Sequence, residues 1–166
     1  VTAAIRGWPS CSAIELMKRV KLAGYRLGTL SLLAAIDLLT GEAIPLVSDT
    51  HKSSDFVCFL KMLDTKYPEG DKIRLILDNH SAHTSQETQE YLNTVPGRFE
   101  FVFTPTHGSW LNMVEGFFSK MTKQMLNGIR VSSREELEKR IYKYFDEISV
   151  TYQWDGFPCK QVDSCQ

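Results

Sequence analysis

The sequence predicts an α/β fold in which a mixed sheet carries helices on its faces. Three observations lead to this prediction. A largely apolar run from Ile73 to Leu77 ends abruptly at Asp78, two earlier apolar segments flank the dipeptide Thr40-Gly41, and segments with helical spacing alternate with strand-like ones. The resulting order of hairpin, helix, strand, helix and strand is typical of a sheet with both parallel and antiparallel neighbours.

The first predicted elements form a β-hairpin. The segments Thr29–Leu39 and Glu42–Val47 are rich in apolar residues, and Thr40-Gly41 between them supplies turn chemistry. Because Pro45 has no N–H to donate, the second strand is expected to lie at an edge of the sheet or to carry a bulge. Residues 1–24 show at best a weak helical stripe, so no element is predicted there.

A helix is predicted after the hairpin, and the strand that ends at Asp78 follows it. Ser53 or Ser54 can cap this helix, whose apolar positions recur at helical spacing until Pro68. The run to Asp78 is apolar apart from Arg74, which favours an interior strand that is buried on both faces. A carboxylate at the C-terminal tip of such a strand lies where open α/β sheets place their ligands.

Four further elements complete the predicted fold. Residues 85–92 should form a helix, and residues 99–103 alternate as a strand does. From Ser109 onward a wide apolar face predicts a long helix with Gly128 as a plausible C-cap. The pattern Ser132-x-x-Glu135 resembles the capping box of a last helix.

Composition favours a single soluble domain. The chain has 166 residues, of which 43% are hydrophobic, and a formal net charge of -1, so any nucleic-acid binding needs a local basic patch. No apolar run approaches the roughly 18 residues that span a bilayer, no signal peptide is recognisable, and the cysteines lack zinc-site spacing. A cytoplasmic protein is therefore expected.

Asp78 and Glu115 are the candidate catalytic residues and metal ligands. Asp78 ends a buried strand, and Glu115 lies on a helix that is otherwise largely apolar. If they meet, their carboxylates offer oxygen ligands to magnesium, and a pair of such ions serves in-line displacement at a phosphodiester. Two ions need at least one more carboxylate. Taken alone, Asp78 also suits a turn and Glu115 a solvated helix face.

Two blocks of the sequence resemble the second and third catalytic blocks of DDE transposases. The first is Leu75-Ile-Leu-Asp-Asn-His-Ser-Ala-His83, and the second runs from Phe103-Thr-Pro through Trp110-Leu-Asn-Met-Val-Glu115. The insertion-sequence 630 family, which is related to the Tc/mariner elements, is the group that they resemble. The segment from Gly24 to Asp37 is similar to a strand block of that family, and the resemblance extends to about Ile148.

The resemblance implies a ribonuclease H-like fold and metal-dependent DNA transposition. It implies that Asp78 is the second catalytic acid and Glu115 the third, both binding Mg²⁺ or Mn²⁺, with no other cofactor. The implied partners are DNA, as transposon ends and target, and a second copy of the chain, with no membrane; DNA binding would bring the protein to the bacterial nucleoid. Residues expected to orient the acids or contact substrate are Asn79, His80, His83 and Asn112.

The first catalytic acid of the family has no counterpart here. In the family that Asp lies on the first strand, whereas residues 1–23 contain no Asp and their only acid, Glu15, stands in a different context. Asp37 is interpreted as structural. The chain is therefore expected to be one partial catalytic domain, inactive alone and without its first strand, in which residues 1–23 are an irregular remnant, 24–148 the core and 149–166 an irregular tail.

Two other functions stay open. The same fold could serve as a non-catalytic module that binds DNA or a transposase. Asp78 with His80, His83 and His107 could instead belong to an unrelated metal-dependent phosphoesterase. Six basic residues suit either a phosphate-contacting surface or a solvated helix face: Lys120, Lys123, Arg130, Arg134, Lys139 and Arg140.

Overall fold

A five-stranded mixed sheet forms the centre of the molecule in the computed structural model, which describes residues 12–21, 29–37, 40–50, 52–103, 116–127 and 129–148. The strands are β1 (Ser12–Lys21), β2 (Thr29–Asp37), β3 (Ala43–Ser48), β4 (Ile73–Leu77) and β5 (Phe99–Phe103). They lie in the order β3-β2-β1-β4-β5. Strand β1 is antiparallel to β2 and parallel to β4, β2 is antiparallel to β3, and β4 is parallel to β5. The α/β prediction is confirmed, and β4 is an interior strand as expected.

Helices cover both faces of this sheet. They are α1 (Ser53–Lys66), α2 (Gln86–Thr94), α3 (residues 116–121) and α4 (Arg134–Ile148). A 3₁₀ turn, Ser81–Thr84, precedes α2, and a π-helix, Thr122–Leu126, follows α3. In the described part of the chain, no helix combines the length and the apolarity that crossing a membrane requires.

Each face of the sheet has its own apolar core. One core packs α3 and α4 on the sheet and includes Leu32, Ala34, Phe117, Leu137 and Phe145. The other packs α1 on the opposite face and includes Leu33, Phe56, Leu60, Leu75 and Leu77. The neighbours Leu32 and Leu33 enter different cores because successive strand side chains point to opposite faces. Strand β2 is thus buried on both sides, which explains its continuous apolar sequence.

Strand β1 is the main departure from the predicted fold. The sequence pattern predicts an irregular N-terminal segment and a sheet without its first strand, but Ser12–Lys21 is a strand between β2 and β4. It pairs with β2 continuously, from Ala13 opposite Asp37 to Lys21 opposite Thr29. Main-chain pairing of this kind does not depend on an apolar pattern, and residues 12–21 show no clear alternation to reveal it.

Strand β3 is an edge of the sheet, as Pro45 predicts. Pro45 lies opposite Ala34 in an uninterrupted register, so no bulge is needed. The next N–H on the same side of the strand, that of Val47, donates to the hydroxyl of Tyr142 in α4 (3.2 Å). On the outer side of β3, Pro45 therefore has no N–H to donate to another strand, and the N–H of Val47 is already bonded to Tyr142.

Helix α1 begins one residue earlier than its predicted caps. Its N-cap is Lys52, and Ser53 and Ser54 lie inside the first turn. The carboxylate of Asp55 accepts hydrogen bonds from the Lys52 N–H (2.8 Å) and the Ser48 hydroxyl (2.8 Å). Asp55 therefore organises the helix start in place of a capping serine.

The capping box of α4 is shifted by one residue from the predicted Ser132-x-x-Glu135. The hydroxyl of Ser133 accepts the N–H of Glu136 (3.2 Å), and the Glu136 carboxylate accepts the N–H (2.8 Å) and hydroxyl (2.7 Å) of Ser132. Two adjacent Ser-x-x-Glu frames exist in the sequence. The Ser133–Glu136 frame supplies the cap, but its carboxylate accepts from Ser132 and not from the Ser133 N–H that a standard capping box uses. Bonds from Ser132, with the nearby Arg140 guanidinium, lower the pKa of Glu136 to about 2.

The long helix predicted from Ser109 is described only from residue 116. Residues 109–115 and the predicted cap Gly128 lie outside the described residues. The unpredicted π-helix Thr122–Leu126 widens the turn after Met121. Met125 and Leu126 consequently pack against the same core as Met121.

Candidate functional site

Asp78 lies directly after β4, at the carboxyl end of an interior strand, as predicted. Its side chain is 33% exposed. The Oδ1 atom accepts the N–H of His80 (3.0 Å). Within the described residues, Oδ2 makes no hydrogen bond or ion pair. Oδ1 is therefore held by the turn, whereas Oδ2 has no such contact with the described residues.

His83 fixes the backbone at Asp78. Its side chain is 1% exposed, and its Nδ1 lies 2.8 Å from the Asp78 carbonyl oxygen and 3.4 Å from Oδ1. Because a carbonyl oxygen only accepts hydrogen bonds, Nδ1 carries the proton. His83 thus donates to Asp78, and its Nδ1 has no lone pair to offer a metal ion.

The rest of this turn is held by hydrogen bonds of its own and by α2. His80 caps the 3₁₀ turn, because its Nδ1 accepts the N–H of Ala82 (3.2 Å). Thr88 is fully buried in α2, and its hydroxyl donates to the Ala82 carbonyl (2.8 Å). Asn79 is exposed beside Asp78. The structure therefore brings together Asp78, Asn79, His80 and His83 in one compact segment.

The other predicted site residues, Glu115, Asn112 and His107, lie outside the described residues. Phe117 and Phe118, which follow Glu115 closely in the sequence, are buried in the core beneath α3. In the described ranges, no three His, Cys, Asp or Glu side chains group closely enough to hold a metal ion. A metal at Asp78 would therefore need further ligands from the remaining part of the chain, from water or from a substrate.

Asp37 makes the contacts of a structural residue. It is 3% exposed, its Oδ2 accepts the Tyr67 hydroxyl (2.8 Å), and its Oδ1 accepts the N–H of Thr40 (3.2 Å). Strand β2 runs antiparallel to β4. Asp37, at the end of β2, and Asp78, just after the end of β4, therefore lie toward opposite ends of the sheet. Glu15 lies in β1 opposite Ala35.

Two of the six basic residues singled out as a phosphate-contacting surface are in ion pairs with acids. Arg134 pairs with Asp49, and Arg140 pairs with Glu136 one turn away on α4. Pairing of this kind favours a solvated helix face for these two residues.

Sequence reasoning missed two residues that support the turn, Phe56 and Thr88. The ring of Phe56 in α1 is fully buried, with its centroid 4.7 Å from that of His83. Nothing distinguishes Phe56 from the other apolar positions of α1 in the sequence, because its contact depends on how α1 packs. Thr88 had a weak signal, since it stands three residues after Ser85, the N-cap of α2, and donates its N–H to the Ser85 hydroxyl (3.3 Å).

Comparison with known sequences gives a family match and a relative. A sequence model of the family described as DDE superfamily endonuclease matches residues 15–138. The chain is 28% identical over 110 residues to a Shigella sonnei protein, "Insertion element IS630 uncharacterized 39 kDa protein". The match covers 66% of this chain but 32% of that protein, so the chain spans about a third of its relative.

Several solved structures share the fold at low sequence identity. The catalytic domain of Mos1 mariner transposase has a TM-score of 0.59 and 15% identity, over 83% of this chain and 72% of that one. The HTLV-2 integrase catalytic core domain, solved with magnesium, has a TM-score of 0.54 and 17% identity, over 80% of each chain. A chain of the simian T-cell lymphotropic virus intasome, solved in complex with PP2A regulatory subunit B56 gamma, has a TM-score of 0.60 and 12% identity, over 99% of this chain and 64% of that one.

Proposed function

Because the chain belongs to the DDE superfamily of endonucleases and has the ribonuclease H-like fold of integrase and transposase catalytic domains, we propose that it is part of a catalytic domain for metal-dependent chemistry on DNA phosphodiesters. The predicted resemblance to insertion-sequence 630 transposases is confirmed by the family match and by the insertion-element relative. The activity, the DNA substrate and the roles of single residues are the proposal.

The observation that carries the proposal is the carboxylate of Asp78. It ends an interior parallel strand, where this class of sheet places ligands, and its Oδ2 is not engaged by any described residue. A carboxylate oxygen is the ligand type that Mg²⁺ and Mn²⁺ prefer, so Asp78 fits a divalent cation. The HTLV-2 integrase core was solved in complex with magnesium, which supports the same choice of metal here.

We assign Glu115 as the second carboxylate of this metal site. Its place in the chain matches the last acidic block of the family, directly before α3. Divalent cations held by these acids would activate the attacking oxygen and stabilise the leaving one. Asp78 would bind through Oδ2 while Oδ1 stays on the His80 N–H, with Asn79, His80 and Asn112 near the acids or the substrate.

The reaction that we propose has two steps on DNA. Water hydrolyses a phosphodiester at the end of a mobile element and leaves a free 3′-hydroxyl. That hydroxyl then attacks a phosphodiester of the target, forms a new P–O bond and displaces a 3′-hydroxyl of the target strand. Two copies of the chain would bring together the two ends of the mobile element, and the reaction would take place at the bacterial nucleoid. The 166-residue chain alone should cut DNA weakly or not at all, because two carboxylates balance too little of the charge of two metal ions.

Metal binding tests the site directly. Titration with Mn²⁺, followed by calorimetry and by water-proton relaxation, should give binding to the wild type that Asp78→Asn and Glu115→Gln each weaken about tenfold or more. Glu69→Gln, a change of an exposed carboxylate that precedes β4 and so lies beyond the opposite end of that strand from Asp78, is the matched control and should leave the affinity unchanged. Equal affinities in all four proteins would refute the assignment of Asp78 and Glu115.

DNA cleavage tests the expected lack of activity. Supercoiled plasmid incubated with the chain and Mg²⁺ or Mn²⁺ should show little nicking. Robust nicking that Asp78→Asn abolishes would contradict the claim that an acid is missing. DNA binding with no metal affinity would instead show a non-catalytic binding module.

An unrelated phosphoesterase needs His80 or His83 as a metal ligand. The Nδ1 atoms of both rings bond to backbone groups of the turn, so only an Nε2 atom could bind the metal, and the Nε2 of His83 is buried. The family match points to DNA as the substrate instead.

A further inference from the structure

The ring of His83 packs against Phe56, a residue of helix α1. Phe56 lies in the first turns of α1 and is fully buried, with its ring tilted by 57° against the His83 ring at a centroid distance of 4.7 Å. It also meets Phe101 of β5, at 6.0 Å between centroids. The imidazole is therefore packed against a side chain that is itself confined.

The position of Phe56 is fixed by the start of its helix. The adjacent Asp55 carboxylate accepts bonds from the hydroxyls of Ser48 (2.8 Å) and Thr50 (2.6 Å) and from the Lys52 N–H (2.8 Å). These bonds tie the first turn of α1 to the end of β3. A continuous path of contacts thus runs from this helix start through Phe56 and His83 to the backbone of Asp78.

We propose that Phe56 is a positioning residue for the metal-binding carboxylate: by packing on His83 it holds the Nδ1–H on the Asp78 carbonyl and so sets the direction of the Asp78 side chain. The Nδ1–H form is the less common neutral form of histidine in water, so the protein must hold the ring to keep it. Loss of the Phe56 ring would let the imidazole turn, the Nδ1–H···O bond would weaken, and the carboxylate would lose the backbone anchor that pre-orients it.

This inference rests on the proposed metal site, but its first readout does not. Two-bond ¹H–¹⁵N spectra of the histidine rings at mildly alkaline pH report which nitrogen carries the proton. In the wild type, His83 should be in the Nδ1–H form. Phe56→Leu should convert part of it to the Nε2–H form and reduce Mn²⁺ affinity about three- to tenfold, less than a direct ligand would.

Phe59→Leu is the matched control. Phe59 lies in the same helix and the same core and is equally buried, so its truncation should lower the melting temperature similarly. It should leave the His83 form and the Mn²⁺ affinity as they are in the wild type. If Phe56→Leu behaves like Phe59→Leu in both respects, the proposal is wrong.

A second pair of variants covers the case in which Phe56→Leu fails to fold. His83→Asn places an amide N–H near the position of Nδ1, whereas His83→Gln places it near that of Nε2. We expect His83→Asn to keep most of the Mn²⁺ affinity and His83→Gln to lose it; equal losses would overturn the proposal. A wild type that binds no Mn²⁺ would refute the metal site while the ring spectra still decide whether Phe56 orients His83.

Discussion

Arg98 holds together the segment that leads into β4. Its Nε donates to the Asp64 carboxylate (2.6 Å), and its terminal nitrogens donate to the carbonyls of Asp64 (3.0 Å), Tyr67 (2.8 Å), Pro68 (2.7 Å) and Asp71. These carbonyls include the C-terminal end of α1, whose last acceptors have no partner within the helix. The Arg98 side chain, which is 10% exposed, thus supplies hydrogen bonds to four carbonyl groups of this segment.

Removing this side chain should be costly. We expect Arg98→Ala to lower the free energy of unfolding by about 2–4 kcal/mol, because several partly buried acceptors lose their donor at once. Arg98→Lys should restore only a small part, since an ammonium group cannot reach carbonyls on several sides at once. Urea unfolding measures both. Arg130→Ala, at an exposed position, should change stability by less than about 0.5 kcal/mol, and an Arg98→Lys variant as stable as the wild type would contradict the argument from guanidinium geometry.

At the scale of a single element, the start of α4 gives a pH-dependent contribution to stability. The pKa of Glu136 is lowered from 4.5 to about 2 by bonds from Ser132, with a further effect of Arg140. A depressed pKa stabilises the fold where the carboxylate is charged in both states, above about pH 4.5. This contribution is lost as the pH falls through the folded-state pKa near 2.

The capping box should therefore appear in acid titrations of stability. Between pH 4.5 and 2, the wild type should lose stability more steeply than Glu136→Gln, which carries no titrating group there. Glu138→Gln on the same helix should follow the wild-type curve. Ser133→Ala should cost about 1 kcal/mol at neutral pH by removing the cap itself. Parallel curves for wild type and Glu136→Gln would show that the Ser132 bonds do not persist in solution.

An element was predictable from the sequence where its burial gives the apolar residues a recognisable pattern. Strands β2 and β4 are buried on both faces and carry long apolar runs, and α1 and α4 bury one stripe, so their patterns identify them. Strand β1 and the π-helix after Met121 depend on main-chain hydrogen bonds, which leave no such period. The choice between Ser132 and Ser133 as a cap is local, but it was decided by side-chain geometry that no pattern encodes.

The candidate site likewise has residues that the sequence pattern indicates and a contact that it does not. Asp78 was predictable because an apolar strand ends at it, and the two histidines because they follow in one short block. The contact of Phe56 with His83 joins α1 to the turn after β4, and only the packing of the helix on the sheet brings them together. Contacts of this kind between residues far apart in the sequence cannot be predicted from the pattern of residues along the chain.

At the scale of the whole molecule, the sheet separates two cores that should behave independently. Ile73 and Ile141 are both fully buried, and they belong to the cores on opposite faces. Ile73→Val and Ile141→Val should each cost about 0.5–1.5 kcal/mol. Because a sheet lies between the two sites, the double variant should show the sum within about 0.5 kcal/mol.

A pair within one core is the control for this additivity. Ile141 and Phe145 lie one turn apart on α4 and share a core, so Ile141→Val with Phe145→Leu should deviate from the sum of the single effects. Urea unfolding of the single and double variants supplies both comparisons. A deviation for Ile73 with Ile141 as large as that for Ile141 with Phe145 would mean that the two cores respond as one.

The edge at β3 also determines how sheets of neighbouring molecules can associate. Filament growth by strand pairing needs two open edges on every molecule, one to accept a neighbour and one to offer to the next. In the described part of the chain, the edge at β3 offers no N–H at Pro45 and has the one at Val47 bonded to Tyr142. A copy added through the other edge would present to the next molecule a β3 edge with fewer available N–H groups, which disfavours further strand pairing.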